Sequence, residues 1–545
     1  MPRRGQICTI DCAFAGSDAD SAHSPRIVPT RSGRHSTKEL LVTLDSSLLD
    51  DTPKAGGLKA AALGTWGVVF LVISAAAPLS VLAGVGPLAV LIGGVSAPLV
   101  YAIAGVVLAV FSIGFLFTAR NLKPMGGFYT YIAVGLGKIV GLGAGFLAWA
   151  SYNLLQIGLW GLFGVMAEGM LAQVFGIQMP WYVVAVIGAV LVFGLAAAGV
   201  DVGARVLGVL LVLETILLAI LAFGILSQRA GDLGFATFAP ENVFTPSMFA
   251  ILGFGFAAFM GFESTVLYRN ETRNPTRTIP RATYIAVAFL ALFYTGTLWL
   301  VIQAFGDAAV QGVIAEDPAA FFFIAMGQYV GEWGVAVMFV LIVSSIFAGQ
   351  LAFHNAINRY SFALSRDGIL PPLFKRTNRT GSPWVAGLIQ SVVAIAVVIA
   401  FGAAGLDPLT QLLILVNSPG VYGIITLQLL ASVAVLIFIL KNRQLERKWY
   451  VLPAAIFSIV SMTGLLAVLV ATIDYLTAAG PAINAIILAV VPLILVGGAV
   501  YAMVLRSNRP DVYARIGGAE QPVGEPAGAD EAGAQPVGSE HVEAR

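Results

Sequence analysis

Charge is scarce in this 545-residue chain: Asp, Glu, Lys and Arg make up 11% of it, against 58% hydrophobic residues and a mean hydropathy of +0.89. That composition excludes an ordinary soluble protein and points to a polytopic membrane protein. Cysteine is nearly missing, since Cys8 and Cys12 are the only two and both lie in a polar N-terminal stretch. A disulfide framework or a thiolate metal centre is therefore excluded from the apolar body. His354 is the one histidine inside an apolar stretch, which argues against a metal site there; no cofactor is expected either. The sequence also lacks G-x-S-G, G-x-G-D and H-E-x-x-H, and it has no P-loop. Those gaps count against an intramembrane hydrolase and an ATP-driven pump, so no enzyme is expected.

What remains is a succession of apolar runs. Crossing the hydrocarbon takes about 20 residues, and twelve runs qualify: 63–84, 96–118, 141–171, 181–200, 204–226, 247–268, 283–305, 332–356, 384–404, 409–440, 451–473 and 484–505. The third and tenth are long enough to be tilted or broken, and Pro419 interrupts the tenth. An all-α body over 58–507 follows, flanked by tails at 1–57 and 508–545 whose composition reads as disordered.

Loop charge tests the count. Arg120, Lys123 and Lys138, then Arg205, the four arginines from Arg269 to Arg281, Arg359 to Arg379, and Lys441 to Lys448 fall on one side. The other side holds Arg229 with Asp232, Glu241, Asp307, Glu316, Asp317, Glu332, Asp407 and Asp474. One span missed or invented in the middle would invert this alternation. By the positive-inside rule both tails are cytoplasmic in a multi-pass protein of the cell membrane.

The chain is organised around Ser247 to Thr283. Its apolar half contains Gly253, Gly255 and Gly261 and then an acid, Glu263, before Arg269, Arg273, Arg277 and Arg281. An ionisable group in hydrocarbon is a functional-site hypothesis by default. In the first span, Ser74, Ala75, Ala76 and Ala77 precede Pro78, a pattern that suits either local unwinding at the midplane or a simple proline kink. Interruptions in two spans set five apart favour a binding site between them. Other polar groups lie within spans: Tyr152, Asn153 and Gln156 on neighbouring turns of the third, Glu214 in the fifth, and Ser344 and Ser345 in the eighth. Phe254, Phe256, Phe259 and Trp160 are either pocket walls or packing.

Four stretches resemble the amino acid-polyamine-organocation permeases. They are Pro124 to Tyr131; Gly261-Phe-Glu-Ser264 with Glu271 to Pro275 and Ile279-Pro-Arg281; Asn358-Arg359 with Ala363 to Gly368 and Leu370-Pro371; and Gly199 to Arg205. The resemblance covers roughly residues 60 to 505 and implies the LeuT-type fold, with five-plus-five inverted repeats and broken helices 1 and 6. It implies a substrate held between Ser74 to Leu79 and Phe259 to Ser264, Phe262 included, with spans three, eight and ten completing the pocket. Helix-end N–H groups would hold a carboxylate. The chain departs from the commoner Gly-Ser-Gly segment by having Ala-Ala-Ala-Pro at 75–78. Glu263 matches an acid that several relatives carry, where it serves gating or proton sensing. Glu214 stands where proton-coupled relatives have a lysine, and Ser344 and Ser345 resemble the paired hydroxyls of a sodium site. Implied partners are an amino acid or related amine, protons and the lipid bilayer, with no nucleic acid. The implied activity is secondary active transport by symport or exchange; a sensor that binds without flux and, further off, an intramembrane enzyme stay open as alternatives.

Overall fold

The computed structural model describes residues 63–121, 127–318, 320–442 and 448–518. The 1–57 tail, Pro124–Gly126, and the tail beyond residue 518 lie outside the described residues. Among the described residues there are helices and turns but no strand. Twelve helical spans are long and apolar enough to cross a membrane. In chain order, spans 1 to 6 are Thr65–Ser96, Leu99–Asn121, Lys138–Phe175, Trp181–Ala198, Gly208–Asp232 and Pro246–Arg269. Spans 7 to 12 are Pro275–Phe305, Glu332–Arg366, Trp384–Ala403, Pro408–Lys441, Trp449–Ala471 and Pro481–Asn508. Each overlaps one run expected from the sequence.

Span 3 is the central post. It runs as one uninterrupted 38-residue helix, because no proline occurs between Lys138 and Phe175. Its length allowed either a tilt or a break, and it is not broken. Its glycines let neighbours press in: a Cβ at Gly143 would lie 2.5 Å from the Leu495 carbonyl of span 12, and one at Gly164 would lie 2.7 Å from that of Trp181 in span 4. Such close backbone approach is how membrane helices gain packing without a hydrophobic drive between them. Spans 3 and 8 are further tied by a reciprocal pair, in which the Gln156 amide donates to the Gln350 carbonyl at 3.3 Å and the Gln350 amide to the Gln156 carbonyl at 3.1 Å.

Span 10 does change character where proline predicts it. Pro408–Val416 is a wide π-helical turn and Asn417–Lys441 is α-helical. Pro419 brings no N–H, so a carbonyl one turn earlier is left without its α-helical partner and the ladder widens ahead of it.

Three elements were not expected. Phe128–Leu136 is a short buried helix between spans 2 and 3. Val310–Glu316 and Phe321–Tyr329 form a pair bent by 117° between spans 7 and 8. The third lies in the 508–545 tail: Pro510–Arg515 is a helix that seats Val512 and Ile516 against the body. Gly517 donates its N–H to the Tyr129 hydroxyl at 2.7 Å, and that hydroxyl donates to Asp367 at 2.9 Å. The folded part therefore continues past residue 507, because two apolar side chains spaced four apart suffice to dock one helical turn.

Candidate functional site

Both interruptions are visible in the backbone. In span 1 the α-helix stops at Ala75, Ala77 takes a left-handed conformation at φ 45°, and helix resumes at Pro78. An alanine with positive φ is uncommon and costs free energy that its surroundings must offset. Here Pro78 disfavours helical geometry in the residue before it, and the Tyr294 hydroxyl of span 7 donates to the Ala76 carbonyl at 3.2 Å. In span 6 the α-helix ends at Ala257, Gly261 sits at φ 105°, and Phe262–Glu271 continues as a 3-10 helix. The two breaks touch, since a Cβ on Gly261 would lie 2.7 Å from that of Ala75. Gly261→Ala therefore combines a forbidden φ with a clash; we expect about 1–3 kcal/mol of destabilisation, read as a lower thermal midpoint in detergent.

Each break faces a buried acid. Glu263, 2% exposed, accepts from the Tyr152 hydroxyl at 2.8 Å and from the Gly261 N–H at 3.2 Å. Tyr152 in turn packs its ring on Phe353 and Tyr360 of span 8. Glu214, 1% exposed, accepts from the Ser345 hydroxyl at 2.8 Å and from the Leu79 N–H at 3.3 Å. Leu79 belongs to the first turn after the span 1 break, so its N–H has no helical partner of its own. Glu214 thus joins spans 1, 5 and 8, and Glu263 joins span 6 to span 3. A buried carboxylate held by two donors is well hydrogen-bonded, yet no cation pairs with either acid among the described residues.

The other expected residues divide. Ser345 reaches Glu214, whereas its neighbour Ser344 turns back to the Leu341 carbonyl of its own helix at 2.9 Å. Asn153 likewise donates to the carbonyl of Trp149 four residues back. Ser74, Ala75, Ala76, Ala77 and Pro78 are all buried at the first break, and Gly349 of span 8 lies against Ala77. Phe259 stacks edge-on to Tyr294 and Phe262 to Phe111, while Phe256 is buried beside them. Trp160 packs edge-on against Phe163. Phe254 instead lines a small cleft with Ile92, Ile251, Tyr422 and Leu469. His354 is buried against Gly387 of span 9.

Arg359 requires a correction. Sequence reading put it in a charged loop, but span 8 continues to Arg366 and Arg359 lies inside it, 6% exposed. Its guanidinium grips Glu271 in a fork at 2.6 and 2.8 Å, donates to the Asn355 carbonyl at 2.6 Å, and covers the Tyr268 ring at 4.5 Å. Only such a satisfied geometry makes a buried guanidinium tolerable. The signal was present in the sequence, as an arginine following an apolar run without a glycine or proline to end the helix.

Two interrupted helices meeting inside a twelve-span bundle, with a carboxylate at each break, define a membrane protein built around a buried polar centre. The chain belongs to the amino acid permease family, whose pattern it matches over residues 63–497. It is 32% identical to an uncharacterised transporter of Legionella pneumophila over 27% of this chain and 31% of that one. It is 26% identical to the L-lysine transport protein of Corynebacterium glutamicum over 58% of this chain and 62% of that one. It is 23% identical to the branched-chain amino acid permease BcaP of Bacillus subtilis over 60% and 70%. The first two matches thus span less than two thirds of those relatives' lengths.

Proposed function

We propose that the chain is a secondary transporter that moves an amino acid or related amine across the cell membrane by alternating access, with both termini in the cytoplasm. The observation that carries this reading is the contact of the two breaks at Ala75 and Gly261, each facing a buried acid. Helix ends freed at one depth offer N–H groups to a carboxylate and carbonyls to an amine, which is the equipment an α-amino acid needs. The family membership and relatives named for lysine and branched-chain amino acid transport support the substrate class. In this reading Ser74 to Pro78, Phe256, Phe259 and Gly261 to Glu263 line the substrate site, with Tyr152 and Gln156 from span 3. Spans 1 to 5 and 6 to 10 are inverted repeats, so the two interrupted spans are equivalent helices.

Glu214 serves coupling alongside Glu263. It occupies the junction of the span 1 break with Ser345 of span 8, where a change of charge would alter how firmly span 1 is held. Uptake of a panel of labelled amino acids and polyamines into proteoliposomes, with and without an inward proton gradient, tests this. Wild type is expected to accumulate one class under the gradient, and Glu214→Gln to bind it yet equilibrate without accumulation. Uptake that needs only preloaded solute would make the protein an exchanger. Binding without flux under every condition would overturn transport in favour of a sensor.

A further inference from the structure

A second, small concavity with two arginines at its edge lies on the Arg- and Lys-rich side of the bundle, where spans 2, 6 and 7 meet. Arg120 and Arg269 line it together with Tyr131, Thr276 and Pro280. No acid is among its lining residues, and among the described residues neither guanidinium pairs with a carboxylate. Arg269 donates to the Ala119 carbonyl at the end of span 2, which holds its head at the cleft. Pro275 and Thr276 belong to the first turn of the 31-residue span 7 helix and add its positive end to the same space.

What lies beside the cleft separates one class of anion from another. Span 7 turns Arg281, Tyr284, Ile285, Ala288 and Leu292 outward, a stripe that starts basic, passes one tyrosine and becomes wholly apolar. Tyr284 is 40% exposed and Leu292 is 77% exposed. Span 2 runs alongside in tight contact, since a Cβ on Gly105 would lie 2.4 Å from that of Ala291. A phosphate with acyl chains fits this sequence of surfaces from head to tail, whereas a soluble anion would use only the arginines. Interfacial tyrosine at the boundary is where a headgroup meets the hydrocarbon.

We propose that this cleft binds the phosphate headgroup of an anionic phospholipid, with Arg120 and Arg269 on the phosphate and the chains along the groove between spans 2 and 7. Basic clefts between transmembrane helices are suited to such headgroups. The occupant would join span 2 to the junction of spans 6 and 7, and so bear on the segment that follows the second break.

Native mass spectrometry of the full-length protein, titrated with phosphatidylglycerol or phosphatidylcholine, tests it without reference to transport. Wild type is expected to retain phosphatidylglycerol selectively. Arg120→Gln, an exposed position that should not disturb folding, is expected to weaken retention about fivefold. Arg269→Gln should do the same, and Arg379→Gln, exposed on a charged loop of the same side, should change nothing. Equal losses in all three variants would mean diffuse surface charge and overturn the site. Displacement by millimolar inorganic phosphate would assign the cleft to a soluble anion and overturn the lipid reading.

Discussion

Glu263→Gln is expected to abolish gradient-driven accumulation while leaving the protein folded and inserted. The substitution keeps the volume and can still accept from the Tyr152 hydroxyl, which now stands 2.8 Å from Oε1. What it cannot keep is an acceptor toward the Gly261 N–H if its amide faces that way, nor any exchange of charge. A hydrogen bond to a charged group is worth about 1.5–3 kcal/mol, so substrate affinity should fall by about tenfold to a hundredfold if that carboxylate meets the amine or shapes the break. The pH dependence is the sharper readout. Wild-type uptake should vary with pH, and Glu263→Gln should flatten that profile; an unchanged profile with normal accumulation would remove Glu263 from the mechanism. Tyr152→Phe separates the carboxylate from its orientation, because it deletes the donor and leaves the acid.

The largest loss of stability is expected where span 8 meets the segment just after span 6. Arg359→Ala would leave Glu271 charged in a space that is closed to water, since both partners are nearly fully buried. Breaking a buried pair from one side costs about 3–5 kcal/mol, and the arginine also satisfies the Asn355 carbonyl and the Tyr268 face. The thermal midpoint in detergent should fall steeply. Arg359→Lys should recover only part, because an ammonium cannot form the two-pronged bond. Removing both charges together, as Glu271→Gln with Arg359→Met, should cost less than Arg359→Ala alone. If the single and double variants melt alike, the pair carries no coupling and Arg359 acts through packing.

How much of this was legible from residues depends on the scale of the pattern. Span positions follow from apolar length, which the bilayer enforces on every segment alike. The breaks were legible for a related reason, because Pro78 and Gly261 act on the backbone within one or two residues. The partners of the acids were not. Glu214 meets Leu79 and Ser345, more than a hundred positions away in either direction, and nothing local in the fifth span specifies that meeting. Nor was the partner of Asn153 legible: its residue type suggested a pocket, and its amide donates to the Trp149 carbonyl four residues back. Arg359 was misplaced because charge usually marks the end of a span, and only its fork with Glu271 lets the helix run through it.

The docked helix Pro510–Arg515 separates two boundaries that are easily taken as one. The last crossing of the membrane ends at Asn508, but packing against the body continues at least to Gly517, which reaches Tyr129. A chain terminated at the final crossing would still insert, yet it would present the empty seats of Val512 and Ile516 as an apolar scar beside Leu142 and Leu364. Such a surface is what cellular quality control inspects, so a frameshift or nonsense change just beyond the last span would be felt as a folding lesion rather than a shortened tail.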